Sequence, residues 1–312
     1  MAFDMSTSTR SRYGLRHVFG LLLAAVLAAP ALAQPACAQG TSATPHMLWR
    51  VASEANGTEG YLVGSVHVMK KEAYPLDSVF REAFSEADVL VLEANLDSMQ
   101  VKAKTLVREL ALYPPGKTLK KELPDETYAM LEKRAEKIGL NLAQMQRMEP
   151  WMVSIMIPTR QMQKAGYSQN QGLDRHFFDK AKKAGTSVRA LETAEEQMRF
   201  FDDLPPEKQE AYLRQSLKKA DRTVENFDKI VRYWRTGNAS GIEEMMVEQM
   251  KNDAPALYER LITERNATWM PRLTEILESE ALPMIVVGAG HVVGANGLVE
   301  LLREKGYRVE QL

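Results

Sequence analysis

Two stretches, Tyr61-Leu62-Val63-Gly64-Ser65-Val66-His67 and Met284-Ile285-Val286-Val287-Gly288-Ala289-Gly290-His291, each run apolar residues into a Gly-x-x-His ending. A short, almost wholly apolar run bounded by glycine reads as a strand buried on both faces, the kind found in parallel sheets. Glycine near the strand end lets the backbone turn sharply or lets another group approach closely. A histidine three residues on then lies at the strand's exit, where open α/β sheets place their ligand crevices. One such motif is weak, and a lone histidine is more often structural. Two copies, among five histidines in the chain, leave open a shared site beside the structural reading.

Working outward, Leu48 to Val51 reads as a strand, Asn56-Gly57 as a hairpin turn, and Tyr61 to Val68 as the returning strand. Ser78 to Ala87 has helical spacing, and Asp88 to Glu93 is another buried-strand run ending on a carboxylate. Residues 98–112, 124–138 and 150–165 alternate apolar and charged residues at helical period. Gly172 to Ala184 is helical, Gly185 stops it, and Ser187 to Leu191 is extended. Residues 195–280 read as further helices, broken at Pro205-Pro206, Gly237 and Pro271. The end returns to α/β: Pro283 to Gly288 as strand, Gly294 to Lys305 as helix, Tyr307 to Leu312 as strand. These patterns predict an α/β (α+β) domain over residues 47–312, with a mixed central sheet formed by the N- and C-terminal segments and a large helical insertion at about 98–280. Met145, Met148, Met152, Met156 and Met162 fall mostly at helical spacing, which favours packing over copper binding.

The first residues carry a different message. Arg10, Arg12 and Arg16 precede an apolar run from Val18 to Ala33, followed by Ala31-Leu32-Ala33 and Ala36-Cys37-Ala38. A basic region, a short apolar core and Ala-x-Ala sites describe a secretory signal peptide over residues 1–38, cleaved after Ala33 or Ala38. Residues 39–46 read as a flexible leader. The expected address is the periplasm or the exterior. A membrane association is expected only if the signal segment stays attached or Cys37, the single cysteine, is lipidated. The formal net charge of the 312 residues is −1, and residues 1–38 hold Asp4 against three arginines, so the processed chain is acidic. That argues against a basic nucleic-acid face.

Three residue types could carry chemistry. His67, His291 and Glu93 suit a divalent cation that keeps positions open for water. No HExxH pattern and no cysteine ligand point to a familiar zinc centre. Arg265 could hold a carboxylate or an oxyanion, or be an ordinary ion-paired helix residue. Asn266, Asp174, Glu192 and Ser65 are supporting candidates. His176 reads as structural and His46 as exposed.

Leu48-Trp49-Arg50-Val51, Gly64-Ser65-Val66-His67 and Leu92-Glu93 resemble the N-terminal signature of the TraB/GumN family. Pro150-Trp151, Gly172-Leu173-Asp174, and Leu191-Glu192-Thr193 with Glu196-Gln197 are similar to its middle. Glu264-Arg265-Asn266, Val287-Gly288-Ala289-Gly290-His291 and Gly297-Leu298 complete the pattern. The family is grouped with Tiki-type metalloproteases and, more distantly, with erythromycin-esterase-like and heme-binding ChaN-like proteins. The resemblance implies a mixed-sheet α/β core and a site of both GxxH histidines, a glutamate and an arginine: His67, His291, Glu93 and Arg265. The expected function is a metal-dependent, peptidase-like hydrolase of the envelope, using Mn, Co or Zn on a peptide or small molecule. The alternative is a heme- or metal-binding accessory protein without turnover.

Overall fold

The computed structural model describes residues 44–312 except 54–56 and 280. The signal-peptide reading, both cleavage points and Cys37 lie outside the described residues, as does Asn56 of the expected hairpin turn. Six strands build one sheet: β1 Leu48–Ser53, β2 Glu59–Ser65, β3 Val89–Ala94, β4 Ser187–Glu192, β5 Pro283–Gly288 and β6 Tyr307–Gln311. Their order is β4-β3-β5-β2-β1-β6. β4, β3, β5 and β2 run parallel, while β1 is antiparallel to both β2 and β6. The fold is therefore mixed α/β, with a sheet joining the two ends of the chain.

Burial follows the apolar pattern. β3 and β5 are buried at every position, and β2 at all but Glu59, as expected of strands covered on both faces. β4, at an edge, alternates over its first four residues and is buried only at Leu191 and Glu192. Ser53 N–H donates to Thr58 O at 2.9 Å, closing the β1–β2 connection. The helical middle has its own apolar cluster, with Leu119, Leu131, Val153, Ile157, Leu213 and Leu217 at its centre. Met145 is buried in that cluster, and Met148 and Met156 pack against it.

Local signals set the elements that matter for the site. The helix Leu173–Ala184 starts after Gly172 and stops at Gly185, whose φ of +75° is the left-handed cap that glycine adopts without strain. Thr193 and Glu196 form a reciprocal capping box at the start of the helix Ala194–Asp202, directly after β4. The helix Glu264–Leu277 follows a π-helical turn, Glu259–Thr263. No helix among the described residues is long and apolar enough to cross a membrane.

Candidate active site

The four parallel strands end side by side, and each delivers one chemical group at its carboxyl end. Glu192 closes β4, Glu93 stands one residue from the end of β3, His291 follows β5, and His67 follows β2. β5 enters between β3 and β2, so the two GxxH motifs lie on neighbouring strands. Their register is offset by one residue, because Ser65 pairs with Gly288 and Gly64 with Val287. Gly288 matters for closeness: a Cβ there would lie 3.0 Å from His67 Nε2 and 3.1 Å from Glu93 Oε1. Gly172 does the same at the other end, since a Cβ would lie 2.3 Å from the His67 carbonyl oxygen.

His67 presents its two nitrogens to different surroundings. Nδ1–H donates to Asp174 Oδ1 at 2.9 Å, and the same oxygen accepts from Ser65 Oγ at 2.6 Å. Nε2 faces Glu93 Oε1 at 3.8 Å, with 57% of the side chain accessible. The Asp174 charge raises the imidazole pKa to about 9, against a smaller opposing effect of burial. Water in the open cleft screens that pair. Burial alone would raise the Asp174 carboxyl, but the His67 partner more than offsets it and the net shift is downward.

His291 is the opposite case: it is 5% exposed. Its Nε2 accepts from Arg265 Nη1 at 2.9 Å, and its Nδ1 pairs with Asn266 Oδ1 at 2.8 Å. Asn266 Nδ2 donates to the carbonyls of His291 and Asn296, which turns its oxygen toward the ring. The imidazole is thus the neutral Nδ1–H tautomer, and burial depresses its pKa to about 3. Arg265 also reaches Glu93 Oε2 at 2.7 Å and Glu192 Oε1 at 2.6 Å. Burial is the largest single influence on the Glu93 carboxylate and works against it, yet Arg265, the two histidines and the Gly288 N–H together outweigh it and hold the group well below the usual carboxylate range. Burial dominates at Glu192 and moves it upward.

Four of these groups, His67, Glu93, Asp174 and Arg265, line a cleft of about 770 Å³. They share its lining with the apolar side chains of Met99, Trp151, Ile155, Met198, Phe200 and Phe201. Trp151 stacks on Phe201 with ring centroids 5.7 Å apart. The eight expected site residues form two hydrogen-bonded sets, Ser65 with Asp174 and His67, and Asn266 with His291, Arg265, Glu93 and Glu192, which approach each other where His67 Nε2 and Glu93 Oε1 are 3.8 Å apart. Sequence reading passed over Trp269, which donates from Nε1 to Glu192 Oε2 at 3.0 Å and lies 4.7 Å from the Arg265 guanidinium. Its signal was present: position 269 is four residues after Arg265 and shares its helix face. It also passed over Phe200, Met198 and the rim residue Arg175. His46, expected to be exposed, is only 18% exposed at its side chain, sits edge-on to Phe80 and pairs with Asp77.

The expected metal ligands do not fit a three-ligand centre in this arrangement. His291 Nε2 is taken by an Arg265 N–H. Glu93 Oε1 accepts from Gly288 N–H at 2.6 Å, and Oε2 from Arg265 and Gln197. Of the two imidazoles only His67 has an open nitrogen, Nε2, and beside it Glu93 Oε1 keeps one lone pair free. Among the described residues no group of three His, Cys, Asp or Glu side chains is arranged to hold a metal ion.

No solved structure matches the chain at a significant level. Two curated relatives, the "Uncharacterized protein YbaP" of Escherichia coli (strain K12) and that of Shigella flexneri, are each 24% identical over 259 residues. Each alignment covers 78% of this chain and 87% of the relative. The sequence profile of the TraB/PrgY/gumN family matches residues 47–311, from the residue before β1 to the end of β6 and across every site residue above, so the chain belongs to the TraB/PrgY/gumN family.

Proposed function

We propose that the cleft is the active site of a hydrolase in which His67 is the general base. The observation that carries this reading is the His67 imidazole, held by Asp174 through Nδ1 with Nε2 directed into a large cleft. An imidazole oriented by a partly buried carboxylate has its free nitrogen aimed and its basicity raised. Nε2 and Glu93 Oε1 are 3.8 Å apart, a spacing at which one water can donate a hydrogen to each. In the reaction, the water oxygen bonds to the substrate's carbonyl carbon as His67 Nε2 takes the water's proton. The leaving group then departs with that proton. The apolar lining suits a substrate with a bulky apolar group beside the cleaved bond, a peptide or a small ester or amide. An envelope address belongs to the same proposal and rests on the residue 1–38 reading.

A divalent-cation form of this reading, with Mn, Co or Zn, requires Arg265 to release His291. Binding without turnover is favoured by one feature only: His67 is an accessible imidazole beside a large apolar cleft, as an axial heme ligand would be. The deciding experiment is a panel of fluorogenic peptides and aryl esters, assayed with wild type and His67→Ala, with and without EDTA. Wild type is expected to turn over at least one substrate class in EDTA, and His67→Ala to lose about 10²–10⁴-fold. Equal activity in His67→Ala would remove His67 as the base. No turnover, together with a Soret band on adding heme, would favour the binding protein.

A further inference from the structure

Arg265 has five N–H donors, and a guanidinium cannot accept or lose a proton in a protein. Every one of the five has a partner. Nε donates to Glu192 Oε2 at 3.2 Å. Nη1 donates to His291 Nε2 at 2.9 Å and to the Leu261 carbonyl at 3.3 Å. Nη2 donates to Glu93 Oε2 at 2.7 Å and to Glu192 Oε1 at 2.6 Å. The guanidinium carbon lies 4.7 Å from the Trp269 ring centre and 5.3 Å from that of Phe200. Arg265 is 8% exposed. A guanidinium saturated in its plane and covered by aromatic rings has no donor left for a substrate oxygen and little room to swing aside.

The same network settles the role of the second GxxH histidine. A metal ion needs a lone pair on an imidazole nitrogen, and His291 has neither nitrogen to offer. Nδ1 carries the hydrogen given to Asn266, and Nε2 spends its lone pair on Arg265. Asn266 cannot reverse this, because its amide nitrogen is held by two backbone carbonyls.

We infer that Arg265 is a fixed internal cation occupying the coordination position of His291, so that of the two motif histidines only His67 is open to a ligand or an ion. Glu93 and Glu192 are its counter-ions, and His291 is a neutral acceptor that locks its orientation. Arg265 is then a positioning residue, acting on the reaction through the Glu93 carboxylate it holds opposite His67. This inference refines the hydrolase reading but stands apart from it, since the His291 tautomer does not depend on whether His67 turns over a substrate.

The test uses the full chain labelled with 15N and long-range imidazole NMR, with Zn²⁺ as the probe. At neutral pH His291 is expected as the neutral Nδ1–H tautomer, and one equivalent of Zn²⁺ is expected to leave its Nε2 resonance in place. A Zn²⁺-induced shift of His291 Nε2 in the wild type overturns the inference. In Arg265→Met the lone pair of His291 is released beside Glu93 and Glu192, and Zn²⁺ binding is expected to tighten by about tenfold or more. Binding equal to or weaker than wild type in a folded Arg265→Met protein also overturns it. Should that variant not fold, the wild-type spectrum decides.

Discussion

His67 is useful because its two ring nitrogens do different work. Asp174 accepts from Nδ1, and Ser65 shares the same carboxylate oxygen, so the carboxylate is itself held in place. The consequence is a pH dependence whose sign can be worked out. Asp174 raises the imidazole pKa to about 9 from an ordinary 6.5. A general base acts only when deprotonated, so kcat/KM is expected to rise as pH rises through His67's elevated pKa. Asp174→Asn removes the charge but keeps the shape, and the limb should move down toward 6.5. A limb that stays where it is in Asp174→Asn would mean that another group titrates. A rate that falls rather than rises over the same range would make His67 a general acid.

At the scale of the elements, the site is a property of four strand ends, and its two motif glycines serve different neighbours. Gly64 on β2 is closed in by its surroundings: a Cβ would lie 3.2 Å from both Ala289 Cα and Met47 Cε. Gly288 on β5 instead faces His67 Nε2 and Glu93 Oε1. Gly64→Ala is therefore expected to lower stability by about 1–3 kcal/mol through overpacking, read from the urea midpoint. Gly288→Ala should lower stability as well, because Glu93 is buried and pinned, but should in addition cut kcat by about 10²-fold, since it pushes His67 away from Glu93. Equal effects of the two on rate would dismiss this division. Much of the arrangement could be read before any coordinates. The apolar runs at 61–66 and 284–288 are long enough, and glycine-bounded enough, to be strands on local grounds, and Glu93 and Glu192 each stand at or beside the end of a strand. Strand order was not legible, because nothing in β5 locally encodes its entry between β3 and β2. The saturation of Arg265 was hidden for the same reason. Its partners come from β3, β4, the turn after β5, the π-helical turn and its own helix, and a pattern within one segment carries no record of the others.

Across the whole molecule, two histidines with opposite shifts give stability a maximum. His291 has its pKa lowered from 6.5 to about 3 by burial. Between those values the unfolded chain binds the proton and the folded chain does not, so this contribution is complete above 6.5 and is lost as pH falls toward 3. Glu93, held below its ordinary 4.5 by Arg265, the two histidines and the Gly288 N–H together against the cost of burial, adds loss in the same direction once pH drops under that value. His67 works the other way. Its pKa is raised, so its contribution is complete below 6.5 and fades as pH climbs through about 9. Solvent in the cleft makes this alkaline limb the shallower one. The urea midpoint is accordingly expected to peak near pH 6.5 and to fall on both sides, more steeply toward acid. His291→Asn should flatten the acid limb and leave the alkaline limb alone, whereas Asp174→Asn should flatten the alkaline limb and take with it the part of the acid limb below about pH 4 that the lowered Asp174 carboxyl supplies. If His291→Asn keeps the wild-type acid limb, carboxylates elsewhere in the fold carry it, and the buried Arg265 network is not what ties stability to pH. If instead each variant flattens mainly its own limb, the two halves of the site are energetically separate: one imidazole kept neutral and closed to hold the framework, the other open to the cleft and free to take up and release a proton there.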